Sequence, residues 1–148
     1  MVRSGKITVS VRSRVAHVDL IHAISDQIAS LVGFDGDEKM NMGLAVREAA
    51  INAIKHGNQM DPRKPLRVVF EFDDGGMSVA IRDRGVGFEL GNVADPTLPE
   101  NLFRTSGRGL LLMKSFVDRV EVRRTSDKGT EVRLVKLVHV SSAGGRRG

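Results

Sequence analysis

A glutamate, an asparagine and a histidine recur every fourth residue in LAVREAAINAIKHGN, an otherwise largely apolar segment at positions 44–58. Residues four apart lie one above the other on an α-helix, so the spacing predicts that Glu48, Asn52 and His56 share one face. A solvated polar face is one interpretation. The neighbouring residues are mostly Ala, Leu, Val and Ile, however, and a buried Glu and Asn need partners. A bound ligand with a hydrated cation is the other interpretation, because it supplies them.

The motif DRGVG begins at Asp83, directly after a predicted strand. A carboxylate in this position can accept a hydrogen bond from an exocyclic amine. Gly85 and Gly87 would let the backbone approach a planar ring or phosphates. A lone glycine pair is also typical of an ordinary turn, and that alternative stays open here.

The motif SGRGLLLM places Gly107 and Gly109 at the start of a predicted helix. Free N–H groups and the helix dipole attract phosphate at such a position, although a turn is again the alternative. Neither glycine pair completes the GxGxxG fingerprint, because Leu90 and Leu112 stand where the third glycine belongs. The sequence also lacks a P-loop and the HRD catalytic loop of protein kinases.

Composition excludes several classes of protein. A length of 148 residues with 41% hydrophobic residues fits one domain with a sizeable core, which we expect over residues 1–140, followed by a flexible basic tail over 141–148. No cysteine is present, so disulfides and thiolate metal sites are excluded. The sequence contains neither a long apolar run nor a signal-peptide pattern. We therefore expect a cytoplasmic protein with no membrane partner.

The net charge of +5 and the pI of about 10.1 raise the question of nucleic-acid binding. The cations are spread along the chain, and no Trp or Tyr is available to stack on bases. Most of the six Phe residues fall where a strand or helix would bury them. We expect no direct contact with nucleic acid, and an acidic protein surface or a polyanionic ligand as the partner instead.

Hydrophobic periodicity predicts the elements that position these motifs. KITVSVRS alternates as an edge strand, and a helix should run from Val15 to Val32, end at Gly33 and bury the apolar residues Val18, Ile21, Ile24, Ile28 and Leu31. A second helix should run from about Asp37, as its N-cap, to about His56. Gly57-Asn58 should end it as a left-handed C-cap.

The remaining segments predict two hairpins, a lid and one more helix. LRVVFEF and MSVAIRD alternate on either side of DDGG, and RVEVRRTSDKGTEVRLVKL reads as a hairpin turning at DKG. Between the hairpins, a long segment with two prolines precedes a helix that starts just after Gly107. These elements predict an α+β fold, a two-layer sandwich of a mostly antiparallel sheet with helices on one face.

The order ExxxNAxxHG, DxGxG, long loop, GxGL and then KGT resembles the GHKL ATP-binding superfamily, which includes gyrase and histidine kinases and has the Bergerat-type fold. VREAAINAIKHGN, DRGVGF and GRGLLLMKSFVD are most similar to the bacterial anti-sigma factor serine/threonine kinases. The resemblance covers roughly residues 10 to 137. It implies Mg-ATP as the cofactor, Glu48 as the catalytic base and Asn52 as the ligand of Mg²⁺.

The same resemblance implies the rest of an ATP site. Asp83 would bind the adenine amino group and Thr130 would contact adenine from the far side, while residues 88–106 would close over the nucleotide. The other implied nucleotide contacts are Lys55, His56, Gly85, Gly87, Gly107, Arg108, Gly109 and Leu110. Of these, Lys55, His56 and Arg108 are equally well explained as surface or helix-terminal cations.

The implied partners are an anti-anti-sigma factor, whose Ser or Thr accepts phosphate, and a sigma factor that the protein sequesters. The implied assembly is a homodimer, and the predicted N-terminal edge strand could pair across its two-fold axis. Two alternatives remain open from the sequence. The domain could be a nucleotide-gated protein-binding module with little transfer, or it could phosphorylate a different switch protein.

Overall fold

The computed structural model describes residues 4–84 and 109–139. Five strands form one antiparallel sheet in the order β1-β2-β3-β5-β4, so β1 and β4 are its edges. The strands are β1 (Gly5–Arg12), β2 (Pro65–Asp73), β3 (Gly76–Arg82), β4 (Arg119–Arg124) and β5 (Thr130–Leu137). The helices are α1 (Val18–Val32), α2 (Gly36–Asn52) and α3 (Gly109–Phe116).

The three helices cover one face of the sheet. α2 lies between α1 and α3, and the helices contact different strands: α1 packs on β2 and β3, α2 on β3 and β5, and α3 on β4. The predicted two-layer α+β sandwich is therefore confirmed. The core between the layers is built from alternate strand residues and the inner helix faces, as in Ile21, Ala45, Val68, Val79 and Leu134.

The first predicted helix is confirmed, with one error in its buried face. A 3₁₀ turn at Val15–His17 leads into α1, and Gly33 ends the helix with φ of 96°. Leu31, predicted to be buried, is 60% exposed. Ala29 and Val32 are buried instead, because the helical period places them on the same face as Ile21 and Ile28.

The helical turns of the second helix run from Gly36 to Gly57, within one residue of the predicted bounds, but both predicted caps were wrong. Asp35 is the N-cap, since its side chain accepts from the Glu38 N–H at 2.8 Å while the Asp35 N–H donates to Glu38. This reciprocal capping box leaves Asp37 inside the first turn. At the other end Asn58 has right-handed backbone angles, and the left-handed residues are Gln59 and Met60.

α1 and α2 are joined by a polar contact on their outer side. Arg47 on α2 donates to Asp19 on α1 at 2.8 Å, and its guanidinium lies 3.3 Å from the Nδ1 atom of His22. Gly43 permits this approach, because a Cβ at that position would come within 2.4 Å of the His22 ring. α2 is thereby fixed against α1 as well as against the sheet.

Both hairpins turn where the sequence predicted. Asp74 and Gly75 connect β2 to β3, and Lys128, with φ of 71°, lies in the turn between β4 and β5. β1 pairs with β2 along its whole length and is an edge strand, as expected. None of the helices in the described part of the chain is both long enough and apolar enough to span a bilayer.

Candidate functional site

The structure brings Asp83 and Thr130 together at one end of the sheet. The Asp83 N–H donates to the Thr130 carbonyl at 3.0 Å, and the Thr130 N–H donates to the Oδ1 atom of Asp83 at 3.2 Å. Both residues are buried, with Asp83 only 4% exposed. They continue the β3–β5 ladder by one rung on the face that the helices cover. Two residues that are 47 positions apart in the chain thus form one polar pair.

Two glycines let the chain pack closely around Asp83. A Cβ on Gly57 would lie 2.2 Å from the Oδ2 atom of Asp83, and a Cβ on Gly129 would lie 2.1 Å from its main-chain oxygen. Any side chain at either position would displace Asp83 or the backbone. Gly57 is therefore required for close approach to Asp83, whereas the sequence predicted it only as a helix terminator.

Asn58 fixes the segment that carries Asp83, and its role was missed from the sequence. This fully buried amide donates to the Ser13 hydroxyl at 2.7 Å and to the Pro65 carbonyl at 3.2 Å. Its oxygen accepts from the N–H of Arg84 at 2.9 Å. Asn58 thereby links β1, β2 and the end of β3. The available signal was an Asn directly after His56-Gly57, which we assigned to a C-cap.

Glu48 and Asn52 lie one turn apart on α2, the helix that packs over β3 and β5. Glu48 is half-buried, and the structure gives its carboxylate no hydrogen bond or ion pair among residues 4–84 and 109–139. Asn52 is 4% exposed, and its buried Nδ2 atom has no hydrogen-bond partner within the same ranges. A buried amide of this kind calls for a partner from outside the described chain.

The helix continues beyond Asn52 with a different geometry. Residues Ala53–Gly57 form a π-helical turn, in which the Asn58 N–H bonds the Ala53 carbonyl five residues back. His56 lies within this turn, where the α-helical spacing of four residues no longer applies, so its place on the face of Glu48 and Asn52 stays a prediction. Lys55 in this turn is exposed and His56 is half-buried. π-Helical turns of this kind are frequent at functional sites.

Arg124, which the sequence reasoning did not select, lies beside the Asp83–Thr130 pair. It faces Thr130 across the β4–β5 ladder, and its Nη1 atom donates to the Thr130 hydroxyl at 3.1 Å. Burial lowers the pKa of Arg124, whereas the negative charge of Asp83 acts in the opposite direction. The strand alternation Val120, Val122, Arg124 was the available signal, because it turns this arginine toward the helices.

The rest of the predicted site lies only partly within the described residues. Gly109 and Leu110 open α3, as the sequence predicted. Gly85, Gly87, Gly107 and Arg108 lie outside the described residues, as do the lid at 88–106 and the tail at 141–148. The structure therefore brings Asp83 and Thr130 together at one end of the sheet and places Glu48 and Asn52 one turn apart on α2.

The fold is a sheet-and-helix sandwich, with the buried Asp83–Thr130 pair at one end of its sheet. The sequence family described as histidine kinase-like ATPase domain matches residues 11–136. This chain belongs to that family, and its resemblance to the GHKL superfamily is confirmed.

Individual relatives agree with this assignment. The anti-sigma F factor of Geobacillus sp. (strain WCH70) is 35% identical over 113 residues, which cover 72% of this chain and 75% of that protein. The serine-protein kinase RsbW of Bacillus cereus (strain AH820) is 24% identical over 144 residues, which cover 93% of this chain and 88% of that protein. The predicted similarity to the anti-sigma factor kinases is confirmed by these relatives.

A solved structure supports the fold. The crystal structure of the RsbU and RsbW domains of Rv1364c from Mycobacterium tuberculosis superposes with a TM-score of 0.65 at 16% sequence identity. The match covers 93% of this chain and 34% of that one, so this chain spans about a third of the larger protein. At this identity the likeness is one of fold.

The residues of the site fit a nucleotide with a magnesium ion. Within the described ranges, no three His, Asp or Glu side chains are grouped so that they could hold a metal by themselves. Magnesium does not need such a group, since it retains several waters and takes other ligands from phosphates. The amide of Asn52, buried and with an unpartnered nitrogen, is a suitable single protein ligand through its oxygen. The close approach of Gly57 and Gly129 to Asp83, here called the glycine cradle, fits the adenine end of the nucleotide.

Proposed function

We propose that this protein is an anti-sigma factor that acts in the cytoplasm as an Mg-ATP-dependent protein serine/threonine kinase. It phosphorylates an anti-anti-sigma antagonist and sequesters a sigma factor. The observation that carries the proposal is the buried Asp83–Thr130 pair, which lies at the end of the sheet beneath the helix bearing Glu48 and Asn52. The names of the relatives, anti-sigma F factor and serine-protein kinase RsbW, support the biological role.

Asp83 and Thr130 hold the base of the nucleotide. The Oδ1 atom of Asp83 is engaged by the Thr130 N–H, and its Oδ2 atom lies against Gly57, where it accepts from the adenine amino group. Because Asp83 is buried, this hydrogen bond forms in a site of low dielectric, where an anionic acceptor is strong. The base is thereby anchored to the central strands of the sheet.

Glu48 acts as the general base at the reacting end. Its carboxylate takes the proton from the acceptor hydroxyl while the hydroxyl oxygen attacks the γ-phosphorus, the bond to the β-phosphate oxygen breaks and ADP leaves. Asn52 would hold Mg²⁺, which when bound neutralises charge on the phosphates. The half-buried position of Glu48 supports this role, since no described residue neutralises its charge. Neutral serine or threonine hydroxyls need such a base.

The phosphates are bound by a second set of groups. The main-chain N–H groups at the start of α3 would bind the phosphates, and the positive end of the helix dipole would add to the attraction. Residues 88–106 close over the nucleotide in this proposal. The phosphate contacts are assigned to Lys55, His56, Gly107, Arg108, Gly109 and Leu110, while Gly85 and Gly87 shape the pocket.

The proposed assembly is a homodimer. β1 is an edge strand, and all of its residues are exposed or half-buried, including Ile7 at 40% exposure. An edge with an exposed apolar residue is available for pairing. Analytical ultracentrifugation at micromolar concentration, with and without nucleotide, tests this part of the proposal. A single species of the 16.1 kDa monomer mass would contradict it.

Two variants on α2 test the kinase function. Glu48→Gln keeps size and hydrogen bonding but removes the proton acceptor, so ATP should still bind while transfer falls roughly 10² to 10⁴-fold. Asn52→Ala should instead weaken nucleotide binding in the presence of Mg²⁺ and lose transfer as a result. Nucleotide affinity is measured by calorimetry, and transfer by following labelled γ-phosphate onto the protein that co-purifies with the kinase.

Asp37→Asn is the matched control, because Asp37 is an exposed carboxylate in the first turn of the same helix. It should bind and transfer like the parent. If Glu48→Gln transfers phosphate at the parent rate, the base assignment is wrong and a nucleotide-gated binding module takes its place. Mass spectrometry of the labelled partner distinguishes an anti-anti-sigma factor from a different switch protein.

A further inference from the structure

Arg124 makes an inward contact that the proposed kinase mechanism does not use. Its Nη1 atom donates to the Thr130 hydroxyl at 3.1 Å and lies 3.4 Å from the Lys128 carbonyl across the hairpin turn. Thr130 is bonded in turn to Asp83 through its main-chain N–H. Arg124, Thr130 and Asp83 therefore form a chain across β4, β5 and the end of β3.

The contact from Arg124 decides which way the Thr130 hydroxyl can point its hydrogen. A threonine hydroxyl has one O–H donor and two acceptor lone pairs. Because a guanidinium only donates, Arg124 occupies a lone pair of Thr130 and cannot receive its hydrogen. The Thr130 O–H is thereby directed away from Arg124 and is available to donate to a ligand.

The positive charge of Arg124 also favours Asp83 as a hydrogen-bond acceptor. The two side chains attract each other, since burial lowers the pKa of Arg124 and the charge of Asp83 opposes this lowering. A neighbouring guanidinium favours the ionised form of a carboxyl group. An ionised Asp83 can only accept hydrogen bonds.

We propose that Arg124 is a specificity-determining residue that makes the base pocket selective for adenine over guanine. It does so by presenting Asp83 as an acceptor and the Thr130 hydroxyl as a donor, side by side. Adenine offers the complement, an amino donor at C6 and an acceptor at N1. Guanine offers the reverse, an oxygen at C6 and an N–H at N1, and would place acceptor against acceptor and donor against donor. This inference rests on the proposed ATP site and names its base selectivity.

The test compares ATP and GTP affinity of the full chain by calorimetry in the presence of Mg²⁺. The parent should prefer ATP at least tenfold, because mismatched buried polar groups are strongly rejected. Arg124→Met should reduce the ratio of the two affinities about tenfold, which is the usual worth of one hydrogen bond to a charged or polarised group. Arg119→Met is the matched control: the same change at the exposed end of the same strand should leave the ratio unchanged.

A double-mutant cycle then tests whether Arg124 acts on base selectivity through Thr130. Thr130→Val removes the hydroxyl and should lower the same ratio, and adding Arg124→Met to it should lower the ratio by less than in the parent background. Additive effects would show that Arg124 acts independently of Thr130, contrary to the proposal. If Arg124→Met does not fold, Arg124→Gln is a milder change that should shift the ratio in the same direction.

The outcomes separate this inference from the proposed function. A fall in both affinities at an unchanged ratio makes Arg124 a purely structural residue and overturns the inference, as does a parent that binds both nucleotides equally well. Neither result affects the kinase assignment. A parent that binds neither nucleotide overturns the proposed function and the inference with it.

Discussion

Two buried carboxylates lie on opposite faces of the same end of the sheet. Asp83 is 4% exposed and faces the helices, whereas Glu131, one residue beyond Thr130, is 5% exposed and faces the open side. Both oxygens of Glu131 accept from arginine side chains, with Arg82 at 2.8 Å and Arg123 at 3.1 Å. Asp83 instead combines a main-chain N–H with a glycine cradle.

The difference separates a structural acid from one suited to a ligand. Glu131 is surrounded by charged donors from three strands, since Arg133 also lies 3.9 Å away, and these side chains cover it on the otherwise open face. Asp83 lies against the π-helical turn after α2, where Gly57 lets the backbone approach one of its oxygens. Burial alone therefore does not identify a functional carboxylate, but the kind of group placed beside it does.

The largest effect should come from removing the structural acid. Glu131→Leu leaves Arg82, Arg123 and Arg133 without their shared anion and should lower the free energy of unfolding by about 3 kcal/mol. This value is toward the lower end for a broken buried ion pair, because the arginines are partly exposed. Denaturant unfolding measures the loss. The control Glu121→Leu, at an exposed pair on β4, should cost much less.

The affinity of Glu131→Leu for ATP should equal that of the parent under conditions in which the variant is fully folded. A large loss of affinity in protein that is still folded would mean that the two faces of the sheet are not independent, and it would break the comparison.

Asp83→Asn should have the converse pattern. One acceptor oxygen becomes a donor that faces the adenine amine, so ATP affinity should fall by about 2 kcal/mol, or roughly 30-fold. Calorimetry measures this, with the exposed Asp73→Asn as the control. Unchanged affinity would remove Asp83 from the nucleotide site and place it beside Glu131 as a structural residue.

Gly57→Ala tests the cradle itself. The added methyl group would lie 2.2 Å from the Asp83 carboxylate and force that side chain to shift, which should reduce ATP affinity by about 1.5 kcal/mol. Gly36→Ala is the matched control, because a Cβ there meets no atom within 4 Å. Equal affinities for the two variants would contradict the assigned role of Gly57.

The smallest effect should appear in the pH dependence of stability. Burial raises the pKa of Glu131, but hydrogen bonds from Arg82 and Arg123 outweigh it and hold the pKa below the ordinary value of 4.5. The resulting stabilisation is fully present above pH 4.5 and is lost as the pH falls through the lowered pKa. Glu131→Gln should therefore flatten the acid limb of the stability curve, as measured by denaturant unfolding at several pH values. An identical slope in parent and variant would contradict this assignment.

Much of the fold could be predicted from local patterns. Alternation marked all five strands, and the turns at Asp74-Gly75 and Lys128 were found from Asp and Gly chemistry, because these signals lie within a few residues of their effect. The capping box of Asp35 and Glu38 was equally local and was overlooked in favour of Asp37.

Residues of the candidate site could be predicted from the sequence only where their type differed from that of their neighbours. Glu48, Asn52 and Asp83 stand out because charged or amide groups interrupt apolar periods. Asn58 and Arg124 did not stand out, since their partners lie far away in the chain: Asn58 bonds Ser13, 45 residues earlier. The π-helical turn was also beyond local reasoning, because the wider turn at Ala53–Gly57 delivers Gly57 to Asp83 through tertiary packing.

The pairing of β3 with β5 has a consequence for how the protein is made. The two strands are adjacent in the sheet, yet Arg82 and its partner Glu131 are 49 residues apart, and a loop of that length must close before they meet. On the ribosome, β1, β2 and β3 emerge well before β5. If Thr130 holds the base as proposed, a nascent chain that ends within β4 lacks a complete base site, and nucleotide can assist only the last stage of folding.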